Sequence, residues 1–369
     1  MATHRPIKTL FQFIIPLIIS AGLCYILYSG MDWSDVRAGL AACRWEWMGA
    51  WAAANVLAIW FRALRWRMQL RVLAINPPGA EMFRAIAGTY AVNLVFPRLG
   101  EIWRSGYVAR RRGAPFTSVF GSMIADRLSD TAAVLLITAL TVLMARAPMA
   151  RFMTETDFGR KAASAIASPW AIATGACIIL FILAIICLPR LRFISRLRAI
   201  LANAWSGFAS IFHMRRSWLW LLLTAGVWTS YFAGTWFSFL AFDSTASIVR
   251  ANGPVAVLVT FVFGSWAMAV PSNGGIGPWQ MAVVLALSGI YAMDRGPALA
   301  FATIVLALQT LLFIILGLYA LISIALAPGR SHPPPPGHTG CRTYRNNCAQ
   351  IYFTVYLCAY YFHTSTLIS

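Results

Sequence analysis

Asp126-Arg127-Leu128-Ser129-Asp130 lies inside the apolar run Phe116 to Met144, where charge is costly. An ionised side chain at the centre of a bilayer costs about 2.5 to 3.5 kcal/mol even on lenient insertion scales, so such residues pair with one another or handle a charged ligand. On a helix Arg127 and Asp130, three apart, share a face. Asp126 and Asp130, four apart, repel unless a cation stands near, and Arg104 or Arg98 is the expected cation. Two readings follow: an ion-pair lock between neighbouring segments, or a site for a charged substrate. Glu101, directly after Gly100, also has two. A carboxylate there suits the free N–H groups and dipole of a helix start, and it suits a proton or cation site. Arg98 and Arg104 flank it and can grip a phosphate with their planar guanidinium forks.

These charges sit beside one of two interrupted stretches. Asn93-Leu-Val-Phe-Pro97-Arg-Leu-Gly100-Glu101 and Pro271-Ser-Asn-Gly274-Gly275-Ile-Gly277-Pro278 put Pro and Gly into apolar sequence that would otherwise run unbroken. Free backbone at membrane depth persists only where it is buried in protein or lines a cavity, so a matched pair, one in each half, points to a central site. Gly274, Gly275 and Gly277 let the chain turn tightly and approach a ligand, and Asn273 accepts left-handed geometry or donates an amide hydrogen bond. The loop can cradle an anionic headgroup, or its glycines can serve helix packing alone. The candidate substrate-binding set is therefore Asn93, Arg98, Glu101, Arg104, Asp126, Arg127, Asp130, Asn273, Gly274, Gly275, Gly277 and Gln280. Pro97, Gly100, Pro271 and Pro278 are the hairpin-breaking residues.

The surrounding elements follow from composition. With 60% hydrophobic and 11% charged residues and a mean hydropathy of +0.69, the chain lies outside the range of soluble domains and reads as an all-α polytopic membrane protein. Apolar runs near Thr9 to Gly30, Trp47 to Leu64, Phe116 to Met144, Pro169 to Leu188, Trp218 to Phe242 and Ala298 to Ala327 predict about six full spans. The net charge of +19 is almost all arginine at segment ends. It is a topology signal and an attraction for anionic lipid rather than for nucleic acid. With Arg5/Lys8, Arg62/Arg65/Arg67/Arg71, Arg98 to Arg112, Arg190 to Arg198 and Arg215/Arg216 all cytoplasmic, Phe83 to Phe96 and Ile102 to Val108 form a hairpin entering from inside. Pro254 to Val270 and Trp279 to Ala292 then form one entering from outside. Span, inner hairpin, span (47–144) and span, outer hairpin, span (218–327) make an inverted repeat, the architecture of alternating-access carriers. With each hairpin scored as a span the count is about eight, and if every hairpin arm crosses fully the repeat loses that meaning.

Asn93, Pro97, Gly100, Glu101 and Arg104, the Asp126 to Asp130 helix, and Pro271, Gly274, Gly275 and Gly277 together resemble the flippase-like transmembrane domain of lysylphosphatidylglycerol synthases, over roughly Phe11 to Ala327. The resemblance implies a lipid-handling protein of the bacterial plasma membrane, with lipid translocation as the associated activity. The synthases add a soluble aminoacyltransferase domain after the membrane part, so lysine transfer is not expected here. The family commonly has Glu three residues after its last glycine, and Gln280 stands there.

Cysteines and histidines show no metal spacing, and no P-loop, zinc-protease helix or nucleophile elbow occurs. No cofactor, metal or catalytic residue is expected, and the chain reads as no enzyme. After residue 327 a Pro-rich linker and a Tyr-rich tail (328–369) carry no assigned function. The expectation is a transporter moving an anionic phospholipid or polyprenyl-linked phosphate between leaflets, with both termini cytoplasmic. The alternative is a non-transporting lipid-binding partner of an envelope glycosyltransferase or lipid-modifying enzyme.

Overall fold

The computed structural model describes residues 22, 24–29, 33–96, 98–146, 216–270 and 272–326, with isolated positions between 150 and 177. Every regular element among the described residues is a helix: α1 (Trp33–Ala41), α2 (Trp45–Val72), α3 (Gly79–Val95), α4 (Leu99–Arg112), α5 (Phe116–Met144), α6 (Ser217–Leu240), α7 (Asp243–Asn252), α8 (Pro254–Ala267), α9 (Pro278–Tyr291) and α10 (Arg295–Leu326). The expected spans at Thr9 to Gly30 and Pro169 to Leu188 fall largely outside the described residues, as do Pro97, Pro271 and the tail.

Proline and glycine set the helix ends. Phe96 turns extended, φ −124° and ψ 105°, because the residue before a proline is pushed out of the helical region. Arg98 then takes the left-handed region, φ 63° and ψ 0°, and α4 begins. On the other side Gly277, φ 91° and ψ −72°, leads into Pro278 at the start of α9, where a missing N–H costs nothing. Gly253 and Pro254 do the same between α7 and α8, whose axes differ by 117°.

α3 packs on α4 and α8 on α9, so both interrupted stretches are hairpins of two short helices. Three further pairs of contacts repeat when the halves are exchanged. α3 lies on α10 as α8 lies on α5, α2 touches α3 as α6 touches α8, and α4 touches α5 as α9 touches α10. The exchanged partners α2 and α6 pack on each other and run antiparallel. The Arg44 N–H donates to the Ala241 carbonyl at one end (2.9 Å), Phe61 faces Gly226, and Arg65 lies over Trp220 toward the other end. Two apolar clusters result, one around each hairpin: Trp66, Leu70, Met82, Ile86 and Val108 pack in the first, and Phe239, Val257, Leu287 and Phe301 in the second.

Among the described residues α5 and α10 are long and apolar enough to cross a membrane, and α7 with α8 makes a third candidate if the bend falls within one span. The expected spans at Trp47 and Trp218 correspond to α2 and α6, of 28 and 24 residues, roughly 42 and 36 Å long at 1.5 Å per residue. Arginines in α2, and tryptophans with Ser and Thr in α6, lower their mean hydropathy. Trp47 to Leu64 is also too short a reading, since α2 continues to Val72.

Candidate functional site

α2, α4 and α5 bring their charged residues to one place. The Arg65 guanidinium bridges two carboxylates, its Nη2 lying 2.6 Å from Asp126 Oδ1 and 2.7 Å from Asp130 Oδ1, while its Nε donates to Asp126 at 3.0 Å. Arg62 Nη2 donates to Asp130 Oδ2 at 2.9 Å. Arg104 Nη2 reaches Asp126 Oδ2 at 3.4 Å, with its guanidinium 4.5 Å from the Trp66 ring centroid. Arg65, Arg104 and Asp126 are 0% exposed. Charges removed this far from water are held only by partners in good geometry, and removing one partner is costly.

The sequence expectation that Arg104 or Arg98 supplies the cation beside Asp126 and Asp130 is met in part by the Arg104–Asp126 pair, but Arg65, which that reading left out, stands closer to both carboxylates. Arg65 fills that role, Arg62 assists, Arg104 is a distant third partner, and Arg98 is elsewhere. Arg62 and Arg65 are also not the solvent-facing topology signal expected of them, because both are buried inside the bundle. Their positions hold a clue. On a helical wheel Arg62, Arg65, Trp66 and Gln69 share one face, whereas Arg67 and Arg71 lie opposite. The first four are buried, and Arg67 instead donates to the Pro77 carbonyl at 2.7 Å. The expected Arg127–Asp130 pair forms at 3.7 Å.

The network continues into the first hairpin tip. Arg127 Nη2 donates to Glu101 Oε1 at 2.8 Å, and Asn93 Nδ2 to Glu101 Oε2 at 3.4 Å. Asn93 Oδ1 accepts the Gly100 N–H at 2.8 Å, so the Asn93 side chain closes the hairpin across its own tip. A side chain on Gly100 would run into the Thr89 carbonyl and Asn93 Oδ1, which explains the glycine. Asn93, Gly100, Glu101, Arg104, Asp126, Arg127 and Asp130 thus form one continuous polar network. Trp66, whose Nε1 donates to Ser122 Oγ at 3.0 Å, and the Tyr90–Tyr231 hydroxyl pair at 2.9 Å join its margin. Arg62 lies 5.8 Å from the Tyr231 ring centroid, which ties the network to the second half.

The two tips meet. Arg98 Nη2 donates to the Ala269 carbonyl at 2.5 Å, and a Cβ on Gly274 would stand 2.7 Å from Leu94 Cδ2. Gly274 and Gly275 have φ of 62° and 90°, which a side chain resists. The Asn273 carbonyl accepts the Ile276 N–H at 3.1 Å within this turn. Gln280 is buried in the first turn of α9. Its Oε1 accepts the Gly277 N–H at 3.1 Å, its amide nitrogen donates to the Tyr28 hydroxyl, and Tyr28 bonds Thr303 at 3.2 Å. Gln280 caps α9 and ties it to α10 through Tyr28.

A model of the family described as "Lysylphosphatidylglycerol synthase TM region" matches residues 13–317. The chain belongs to that family. Its members' defining part is transmembrane, and the all-helical fold with apolar α5 and α10 agrees, so this is a polytopic membrane protein. No curated protein and no solved structure matches the chain.

Proposed function

We propose that this protein moves an anionic phospholipid or a lipid-linked phosphate between membrane leaflets by alternating access. Family membership supports a role with membrane lipid. The observation that carries the finer reading is the meeting of two broken helical hairpins, from halves packed antiparallel, beside a buried network of charge. Discontinuous helices opposed at one point are how carriers place irregular backbone at a substrate site. Charged side chains supply recognition from the first half, and turn backbone rich in glycine supplies close approach from the second. In this reading both hairpins are re-entrant, from opposite faces of a bacterial plasma membrane, with both termini cytoplasmic. No bond of the lipid is broken.

Reconstitution of purified protein into liposomes with fluorescent phosphatidylglycerol in one leaflet tests the proposal. A carrier equalises the label between leaflets with no other protein present. If transfer appears only when an envelope glycosyltransferase or lipid-modifying enzyme is added, the protein is that enzyme's lipid-binding partner instead.

A further inference from the structure

Among the described residues the network holds four guanidinium groups, Arg62, Arg65, Arg104 and Arg127, and three carboxylates, Glu101, Asp126 and Asp130. Each carboxylate has a closer partner than Arg104: Asp126 has Arg65 at 2.6 Å, Asp130 has Arg65 at 2.7 Å and Arg62 at 2.9 Å, and Glu101 has Arg127 at 2.8 Å. Arg104 is left with one ion pair, at 3.4 Å, beside its stacking on Trp66, while being 0% exposed. Its Nε and Nη1, the Nε of Arg62 and of Arg127, and the Nη1 of Arg65 are buried with no acceptor. Buried donors in this number call for a further acceptor, and a buried cation without a full counter-charge calls for an anion. The network is most open at Arg127 and Glu101, whose side chains are 38% and 18% exposed, against 11% for Asp130 and 7% for Arg62.

We propose that Arg104, flanked by Arg62, Arg65 and Arg127, is the binding point for one singly charged phosphate-ester anion, admitted past the Arg127–Glu101 pair. The surplus is one charge, which matches a phosphodiester and leaves a diphosphate undercompensated. The guanidinium fork fits two phosphate oxygens, and Trp66 beneath Arg104 holds its plane. This deepens the transport reading, since it identifies the part of the lipid that is recognised. The same chemistry would be offered by a free phosphate.

The test uses the full chain in phosphatidylcholine nanodiscs, as wild type, R104Q, R104K and R110Q. Arg110 is exposed in the last turn of α4 and serves as the control. Phosphatidylglycerol added to the nanodiscs is expected to raise the unfolding temperature of wild type and R110Q. In R104Q its binding should weaken at least about tenfold, the worth of one charge-assisted contact. R104K, which keeps the charge without the fork, should fall between. In pure phosphatidylcholine R104Q should unfold no lower than wild type, because a surplus charge has been removed; a cation needed only for folding would give the opposite. Inorganic phosphate reproducing the shift assigns the site to free phosphate, and failing to do so assigns it to the headgroup. R104Q responding to phosphatidylglycerol like wild type, or wild type responding to neither ligand, overturns the site. Wild type that binds through Arg104 yet transfers no lipid in liposomes keeps the site and overturns transport; unaltered binding and transfer in R104Q does the reverse.

Discussion

In the first hairpin the arms α3 and α4 meet where Gly88 receives the indole of Trp103; in the second, α8 and α9 meet where Gly264 receives that of Trp279. The two residues of each pair are fifteen positions apart in the sequence. A glycine on the first arm and a tryptophan on the second thus give both hairpins the same close approach. The tips differ. The first is closed by side chains, with Asn93 across its tip and Glu101 held by Arg127, and it is anchored to buried charge on α2 and α5. The second is turned by Gly274, Gly275 and Gly277 at positive φ and anchored by the neutral chain Gln280, Tyr28 and Thr303. One packing device therefore carries two chemistries, and the buried ion pairs lie in the first half.

The largest expected effect breaks that asymmetry. Asp126→Leu leaves Arg65 and Arg104 without their shared carboxylate and should cost roughly 3 to 5 kcal/mol, read as lost unfolding temperature in detergent. A loss under about 1 kcal/mol would mean that the network does not hold the first half together. Next come Gly88→Ala and Gly264→Ala, each of which pushes a methyl group into an indole and should cost about 1 to 3 kcal/mol. If the hairpins are packed as equivalents, the two losses agree, and Trp103→Leu or Trp279→Leu recovers part of each. Gly277→Ala, at φ 91°, should cost about 1 to 3 kcal/mol through backbone strain. Its mark is that the first half stays unaffected, so Gly277→Ala and Asp126→Leu should add. Gln280→Glu should likewise cost about 1 to 3 kcal/mol at neutral pH, because the carboxylate still accepts the Gly277 N–H and a hydrogen bond from Tyr28 but is buried with no ion-pair partner among the described residues.

The hairpins were legible in the sequence because Pro and Gly punctuation acts locally: Phe96 leaves the helix ahead of Pro97 whatever surrounds it. The i,i+3 pair of Arg127 and Asp130 was legible for the same reason. Arg62 and Arg65 were misread because their role depends on α5, 61 to 68 residues away in the chain. In isolation, arginines at the end of an apolar run look like a topology signal, and only the burial of their shared face with Trp66 and Gln69 separates them from Arg67 and Arg71. The Gly–Trp spacing was present in both hairpins and went unused, since a glycine's partner is known only once two helices are packed. Gln280 was legible as a residue of the second tip's motif, whereas its hydrogen bonds to the Gly277 N–H and to Tyr28 depend on packing between α9 and Tyr28 that the sequence does not show.

The central claim is that two hairpins reach each other from opposite membrane faces. Its most direct test is labelling with a membrane-impermeant maleimide in intact cells and in inverted vesicles. Single cysteines are placed at Arg110, at the base of the first hairpin, and at Met293, at the base of the second, in protein lacking its native cysteines. The account predicts that the Arg110 cysteine labels only from the cytoplasmic side and the Met293 cysteine only from the outer side. Labelling of both from the same side would contradict it.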